Sequence, residues 1–198
     1  MKNKTAEQGN CLVLVWTSDN ILRAVQRPPI SPQRLLAFVT DQQRIFAQAF
    51  KAFPDVEVHF ELTFARAIWR VDRRANGLIY EALGVLFEII QANERYNSTG
   101  GRAYFPRSNI HAGVDMGLLL QGEDFSIGQV LTSAFAFAEE ATRRDVTAFI
   151  PQSYYEDVAA KLNRPLATQT VEVKATTQKQ RGVIALSLDD IENLKTKR

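Results

Sequence analysis

The apolar run Cys11-Leu-Val-Leu-Val-Trp-Thr17 constrains this chain more than any other stretch. It is uncharged and does not alternate, so neither face of a strand built from it can meet water. Such a strand belongs inside a sheet, with other elements packed over it. The flanking sequence supplies those elements. Ser31 is an N-cap with Pro32 at the first helical position. Leu35, Phe38, Val39, Phe46 and Phe53 recur at helical spacing, which predicts a long helix over 32–53 stopped by Pro54. A second stripe through Leu78, Ala82, Leu83, Leu86 and Ile90 predicts a helix over 74–92.

Between them, 56–62 and 65–71 alternate in hydrophobicity and predict a hairpin. Strand signals return at 109–115 and again at 116–121. Ser126 is expected to cap a third helix over 127–142. A strand at 145–150, a short helix to 162, a closing antiparallel pair at 168–174 and 182–188, and a polar terminal helix or tail complete the pattern. The expected fold is α+β: a ferredoxin-like βαββαβ core, its sheet mostly antiparallel, helices on one face, and C-terminal extensions. The expected organisation is a polar arm at 1–10, one domain over 11–188 and a polar tail at 189–198.

Composition removes several function classes. The net charge of +2 gives no field for nucleic acid. Cys11 is the sole cysteine, which excludes an internal disulfide and a cysteine-clustered zinc site. No apolar stretch has the length and lack of charge of a membrane span or signal peptide, so a cytoplasmic protein without membrane partners is the expectation. The Gly-x-x-x-x-Gly-Lys, Gly-x-Ser-x-Gly and His-Glu-x-x-His patterns are absent.

Asn109-Ile-His-Ala-Gly-Val-Asp-Met-Gly117, followed by Gly128-Gln-Val-Leu at the head of an amphipathic helix, frames a backbone able to approach phosphate. With the buried first strand ending near Asp19, this order resembles the class III nucleotide cyclase domain, in particular the divergent bacterial branch used in antiphage signalling. His111-Ala-Gly-Val-Asp-Met-Gly117 resembles the family's Arg-Gly-Gly-Ile-Thr-Ile-Gly strand. The 127–139 segment, with Gly128, Ala134 and Glu139, resembles its Gly-x-Ala-Leu…Ala…Leu-Glu helix.

The resemblance implies a head-to-tail homodimer with nucleotide sites at the interface. It also implies two aspartates holding two divalent metals, Mg or Mn, and an asparagine and an arginine on the third helix. Two hard cations need carboxylate oxygens and stabilise the attacking and leaving oxygens of an in-line displacement. Asp19 stands for the first aspartate. The second should lie within 62–67, where Arg66 stands instead; Thr132 and Ala136 occupy the third-helix positions. The residues the resemblance assigns to nucleotide are Asp19, Arg66, Gly113, Gly117, Gly128 and Thr132, with Asp19 the one candidate metal ligand.

Each has a plainer alternative. Asp19 is a ligand or an Asx-turn. Arg66 is a phosphate contact or a hairpin charge. His111 is a general base or a hydrogen-bonded sheet histidine. Asp115 belongs to an acidic site or ends a strand. The glycines admit a ligand, admit a neighbouring chain, or serve backbone geometry alone. The expected function is a degenerate cyclase-like module that binds nucleotide or a cyclase-like partner chain without two-metal catalysis. One rival is an active Mg- or Mn-dependent cyclase drawing its second ligand from Glu61, Asp72 or Asp115. A ligand-free structural homodimer is the other.

Overall fold

The apolar run forms the middle of the central strand β1 (Glu7–Ser18). The computed structural model describes residues 7–18, 31–61, 63–71, 75–98, 109–122, 126–174 and 179–196. After β1 come helix α1 (Pro32–Ala47), a 3-10 turn (Gln48–Phe50), the hairpin β2 (Glu57–Phe60) and β3 (Phe64–Arg70), and helix α2 (Ala75–Ser98). Next are β4 (Ile110–Gln121), β5 (Ser126–Ile127), helix α3 (Gln129–Arg144) and β6 (Ala148–Pro151). A 3-10 turn (Gln152–Tyr154), helix α4 (Tyr155–Leu162), β7 (Thr168–Val173), β8 (Lys179–Leu186) and helix α5 (Leu188–Thr196) close the order.

The strands form one sheet in the order β2-β3-β1-β4-β6-β8-β7, with β5 added beside β4. The pairs β2–β3, β1–β3 and β1–β4 are antiparallel, which gives the expected ferredoxin-like core. Among the described strands, only β4–β6 is parallel.

Alternation along β1 divides the interior. Leu12, Leu14 and Trp16 pack with Phe46, Phe50, Ile79, Leu83 and Leu86 beneath α1 and α2, and the same cluster takes in Val158 of α4 and Ile191 of α5. Cys11, Val13 and Val15 point the other way, onto Val130, Ala134 and Ala138 of α3. Among the described helices, the one-face arrangement therefore holds for four and fails for α3. The reason is the composition of β1, whose second apolar row requires a second cover.

Some boundaries also differ from expectation. β1 begins at Glu7, inside the stretch expected to be a polar arm, because residues 7–10 pair with 118–121 of β4. β4 does not split at 115–116, since β1 pairs with it residue by residue from Ile110 to Gln121. Ser126 is not a helix cap: the Leu120–Ile127 ladder holds this stretch extended, and Gly128 becomes the N-cap. α1 stops at Ala47, and the 3-10 turn after it stacks Phe50 on Trp16 at 5.8 Å between ring centroids. α2 runs to Ser98, where Tyr96 meets Phe38 at 6.0 Å.

The expected cap at Ser31 is present, its hydroxyl accepting the Arg34 N–H at 3.3 Å. The stretch 189–196 is α5, started by a reciprocal cap. The Ser187 N–H donates to Asp190 Oδ2 at 2.9 Å, and the Asp190 N–H to Ser187 Oγ at 3.2 Å. No described helix is long and apolar enough to cross a membrane.

Gly113 sets the closeness of α3 to the sheet. A Cβ there would lie 2.5 Å from Ala138 N and 2.6 Å from Phe137 Cβ, and against the Ala134 carbonyl oxygen. Gly113→Ala should therefore cost about 1–3 kcal/mol through overpacking. Gly9, on the same sheet with nothing within 4 Å, should tolerate alanine or gain about 0.5–1 kcal/mol. Urea denaturation of both variants checks this, and equal midpoints would show that α3 can retreat.

Candidate functional site

The described residues among those singled out by the sequence lie on the α3 side of the sheet or on α3 itself. In register across three strands, Arg66 of β3 lies opposite Val15 of β1, which lies opposite Gly113 of β4. The next row is Phe64, Thr17 and His111; on the other side come Ile68, Val13 and Asp115. α3 lies over these rows, and Phe135 from it meets Phe64 edge-on at 4.3 Å.

The three glycines serve this packing. Gly113 admits the α3 backbone, and Gly117 would place a Cβ 3.5 Å from Val130 Cβ. Gly128 would place one 2.6 Å from the Leu118 carbonyl oxygen. In each case the close neighbour is the chain itself. Thr132, in the first turn of α3, donates to the Gly128 carbonyl at 3.4 Å. With Ala136 it borders an outward groove of about 450 Å³ that also touches Glu139, Arg143, Glu172 and Lys174. Asp19 and Asp72 lie outside the described residues.

Arg66 keeps only 15% of its side chain exposed, and its guanidinium reaches Glu61 at 3.8 Å. Its Nε is buried without a hydrogen-bond partner. His111 is the hydrogen-bonded sheet histidine: its Nδ1 pairs with the Val146 carbonyl at 2.8 Å and the residue is buried. Asp115 is 2% exposed and sits between the Arg181 guanidinium, at 3.1 and 3.2 Å, and the Met116 N–H, at 2.9 Å.

A small cleft opens at the end of β1, between α1 and the β2–β3 turn. Ser18, Glu61, Thr63 and Gln42 line it, over Trp16 and Phe46. Gln42 is buried, yet neither its amide oxygen nor its amide nitrogen is hydrogen-bonded. The space beside it is water-sized. Sequence reasoning missed this group, although its signal was present. Gln42 falls in the helical stripe Phe38, Val39, Gln42, Phe46, the buried face of α1.

No protein-family model matches the chain, and no curated protein matches it in sequence. Solved structures match it in shape. The adenylyl cyclase CyaB from P. aeruginosa aligns with a TM-score of 0.64 at 11% identity, over 92% of this chain and 96% of that one. The guanylate cyclase domain of RhGC from Catenaria anguillulae, in complex with GTP, gives 0.58 at 16% identity, over 90% and 98%. The catalytic core of a rhodopsin-guanylyl cyclase with converted specificity, in complex with ATPalphaS, gives 0.61 at 15% identity, over 91% and 98%. This chain has the fold of a class III cyclase domain.

The cyclase fold implies two divalent cations, and the described carboxylates do not assemble a cradle for them. The oxygens of Asp115 are taken by Arg181 and a backbone N–H beneath α3. Arg66 puts a permanent cation on the neighbouring row. Among the described residues, no group of three or more His, Cys, Asp or Glu could hold a metal. Glu61 is the described carboxylate on the same cleft as Ser18, the residue before Asp19.

Burial pushes the Asp115 carboxyl above its ordinary range, and Arg181 and the Met116 N–H only partly oppose it. The folded state thus holds this proton more tightly than the unfolded chain, and the Asp115 contribution to stability falls as pH rises above about 4. The stability difference between Asp115→Asn and the natural chain should move in favour of the variant from pH 4 to pH 7. A difference that stays flat or moves the other way would show that Arg181 outweighs burial.

Proposed function

We propose that this chain works by binding, as a cyclase-fold module that takes a nucleotide or a second cyclase-like chain and does not carry out two-metal phosphoryl transfer. Arg66 carries the proposal. It replaces the carboxylate that the resemblance requires in the hairpin, and it lies on the row with Val15 and Gly113. A divalent ion about 5 Å from a guanidinium meets roughly 7 kcal/mol of repulsion at an effective dielectric of 20, which one partly exposed glutamate offsets only in part. The same guanidinium suits a phosphate, where its planar fork and fixed charge are assets.

The test is turnover of ATP, GTP, CTP and UTP with Mg²⁺ or Mn²⁺. The expected outcome is no cyclic nucleotide and no pyrophosphate above background, with a nucleotide-dependent rise in melting temperature that Arg66→Ala removes. Turnover that Glu61→Gln abolishes would replace this proposal with the active-cyclase alternative. That alternative is favoured by one observation, the position of Glu61 on the cleft at the end of β1.

Association with a second chain is supported by an uncovered apolar face. Beyond the reach of α1 and α2, β4 presents Met116, Leu118 and Leu120, and β5 presents Ile127, which pairs directly with Leu120. Their exposures are 36%, 57%, 38% and 63%. The opposing β1 residues on that face are uncharged: Gln8 and Asn10. A contiguous apolar ridge that carries no charge among the described residues marks an interaction surface. Light scattering should show a dimer that Leu118→Asp with Ile127→Asp converts to a monomer of unchanged melting temperature. A natural chain that is monomeric at high concentration would remove self-association and leave a different partner for this face.

A further inference from the structure

A second surface lies apart from the sheet, on the helical side of the molecule. α1 and α2 do not close against each other along their whole length, and a groove of about 480 Å³ remains between them, bounded at one side by α5. Gly84, Glu88, Ala92 and Arg95 form its α2 wall. Their spacing is that of one helix face, and they span about 16 Å at 1.5 Å per residue. Ile45, Ala49 and Phe53 form the opposite wall. Small residues on both walls let a rod approach closely, and Gly84 stands in a helix interior where alanine would be favoured by about 1 kcal/mol.

The charges of the groove are unbalanced. Glu88 is the single acid lining it, and Lys195 of α5 pairs with that acid. Lys51 and Arg95 also line the groove, and among the described residues neither has a carboxylate partner. The Tyr96–Phe38 contact shows that the C-terminal end of α2 meets the N-terminal half of α1. Arg95 therefore lies towards one end of the groove, and Lys51, beyond the C-terminal end of α1, towards the other.

We propose that this groove receives an acidic amphipathic helix of a partner protein. Its apolar stripe would lie along Ile45, Ala49, Phe53 and Ala92, and carboxylates near its two ends would meet Lys51 and Arg95. The helix-in-groove mode needs an elongated apolar floor with anchors repeated at helical spacing, and about three turns fit the length. Charge selects the sign of the partner, because two cations that lack carboxylate partners among the described residues reward carboxylates and repel a basic helix. An acyl chain fits less well: Gln48 and Glu88 interrupt the lining with polar groups that a hydrocarbon cannot satisfy.

The experiment is selection of a displayed library of 18-residue helical peptides against the full chain, followed by affinity measurement of the enriched sequences by fluorescence anisotropy. The expected result is enrichment of peptides with an apolar stripe flanked by Asp or Glu, protecting residues 45–53 and 84–95 from hydrogen exchange. Lys51→Glu with Arg95→Glu replaces two exposed side chains. It should keep the melting temperature and weaken these peptides roughly tenfold or more. Basic peptides should then bind the double variant better than the natural chain. Failure to enrich acidic helices, protection elsewhere, or indifference to the double variant would overturn the proposal. So would charge-dependent sedimentation of the chain with phosphatidylserine–phosphatidylcholine vesicles in place of peptide binding, because it would assign the cations to a lipid surface.

Discussion

Helix α3 rests on β4 at backbone distance because position 113 has no side chain, and the second face of the sheet depends on that contact. The odd-numbered row of β1, Cys11, Val13 and Val15, would otherwise face water. Each such side chain contributes on the order of 1.5–3 kcal/mol when fully buried. The contact also determines what α3 covers. His111 and Asp115 lie beneath it or at its end, while Thr132 and Ala136 look outward.

Packing α3 so closely traps polar groups, and Asp115, His111 and Thr17 among them are held by the fold itself. Asp115 takes Arg181 and a backbone N–H. His111 takes the Val146 carbonyl, and Thr17 meets Thr142 hydroxyl to hydroxyl at 2.9 Å. Satisfied in this way, these groups are structural. Gln42 is different, because an unmet amide in an apolar setting costs about 1–3 kcal/mol for each unsatisfied group. It marks the cleft at the end of β1 as a place where water or a ligand atom is needed. Arg66, whose Nε is also unmet, stands on the other face of the same sheet end. The fold is that of cyclase domains, and the described polar pairs beneath α3 hold that helix against the sheet.

Much of this architecture was legible because it rests on local rules. The Ser31 cap, the β2–β3 hairpin, the apolar stripes of α1 and α2 and the β7–β8 pair follow from periodicity and turn chemistry. The frame around Gly113, Gly117 and Gly128 was visible too. Its occupant was not, because a glycine reports that something comes close and does not name it. The single long β4 was hidden because strand signals at 109–115 and 116–121 do not report that β1 pairs along both. Ser126 carries the chemistry of an N-cap, but a strand partner outweighed that local preference.

By itself the sequence determined that β1 is central and needs cover on both sides, and that Arg66 brings a cation to the hairpin where the resemblance asks for an anion. These are properties of residue type, and no packing changes them. Only the tertiary structure decided that α3 supplies the second cover, that Arg181 pairs with Asp115, that Gln42 is left unpaired and that α1 and α2 leave a basic-rimmed groove. Those outcomes depend on residues far apart in the chain meeting across a sheet or between helices. Hydrophobic spacing records which face of an element is buried, and does not record which distant element comes to bury it.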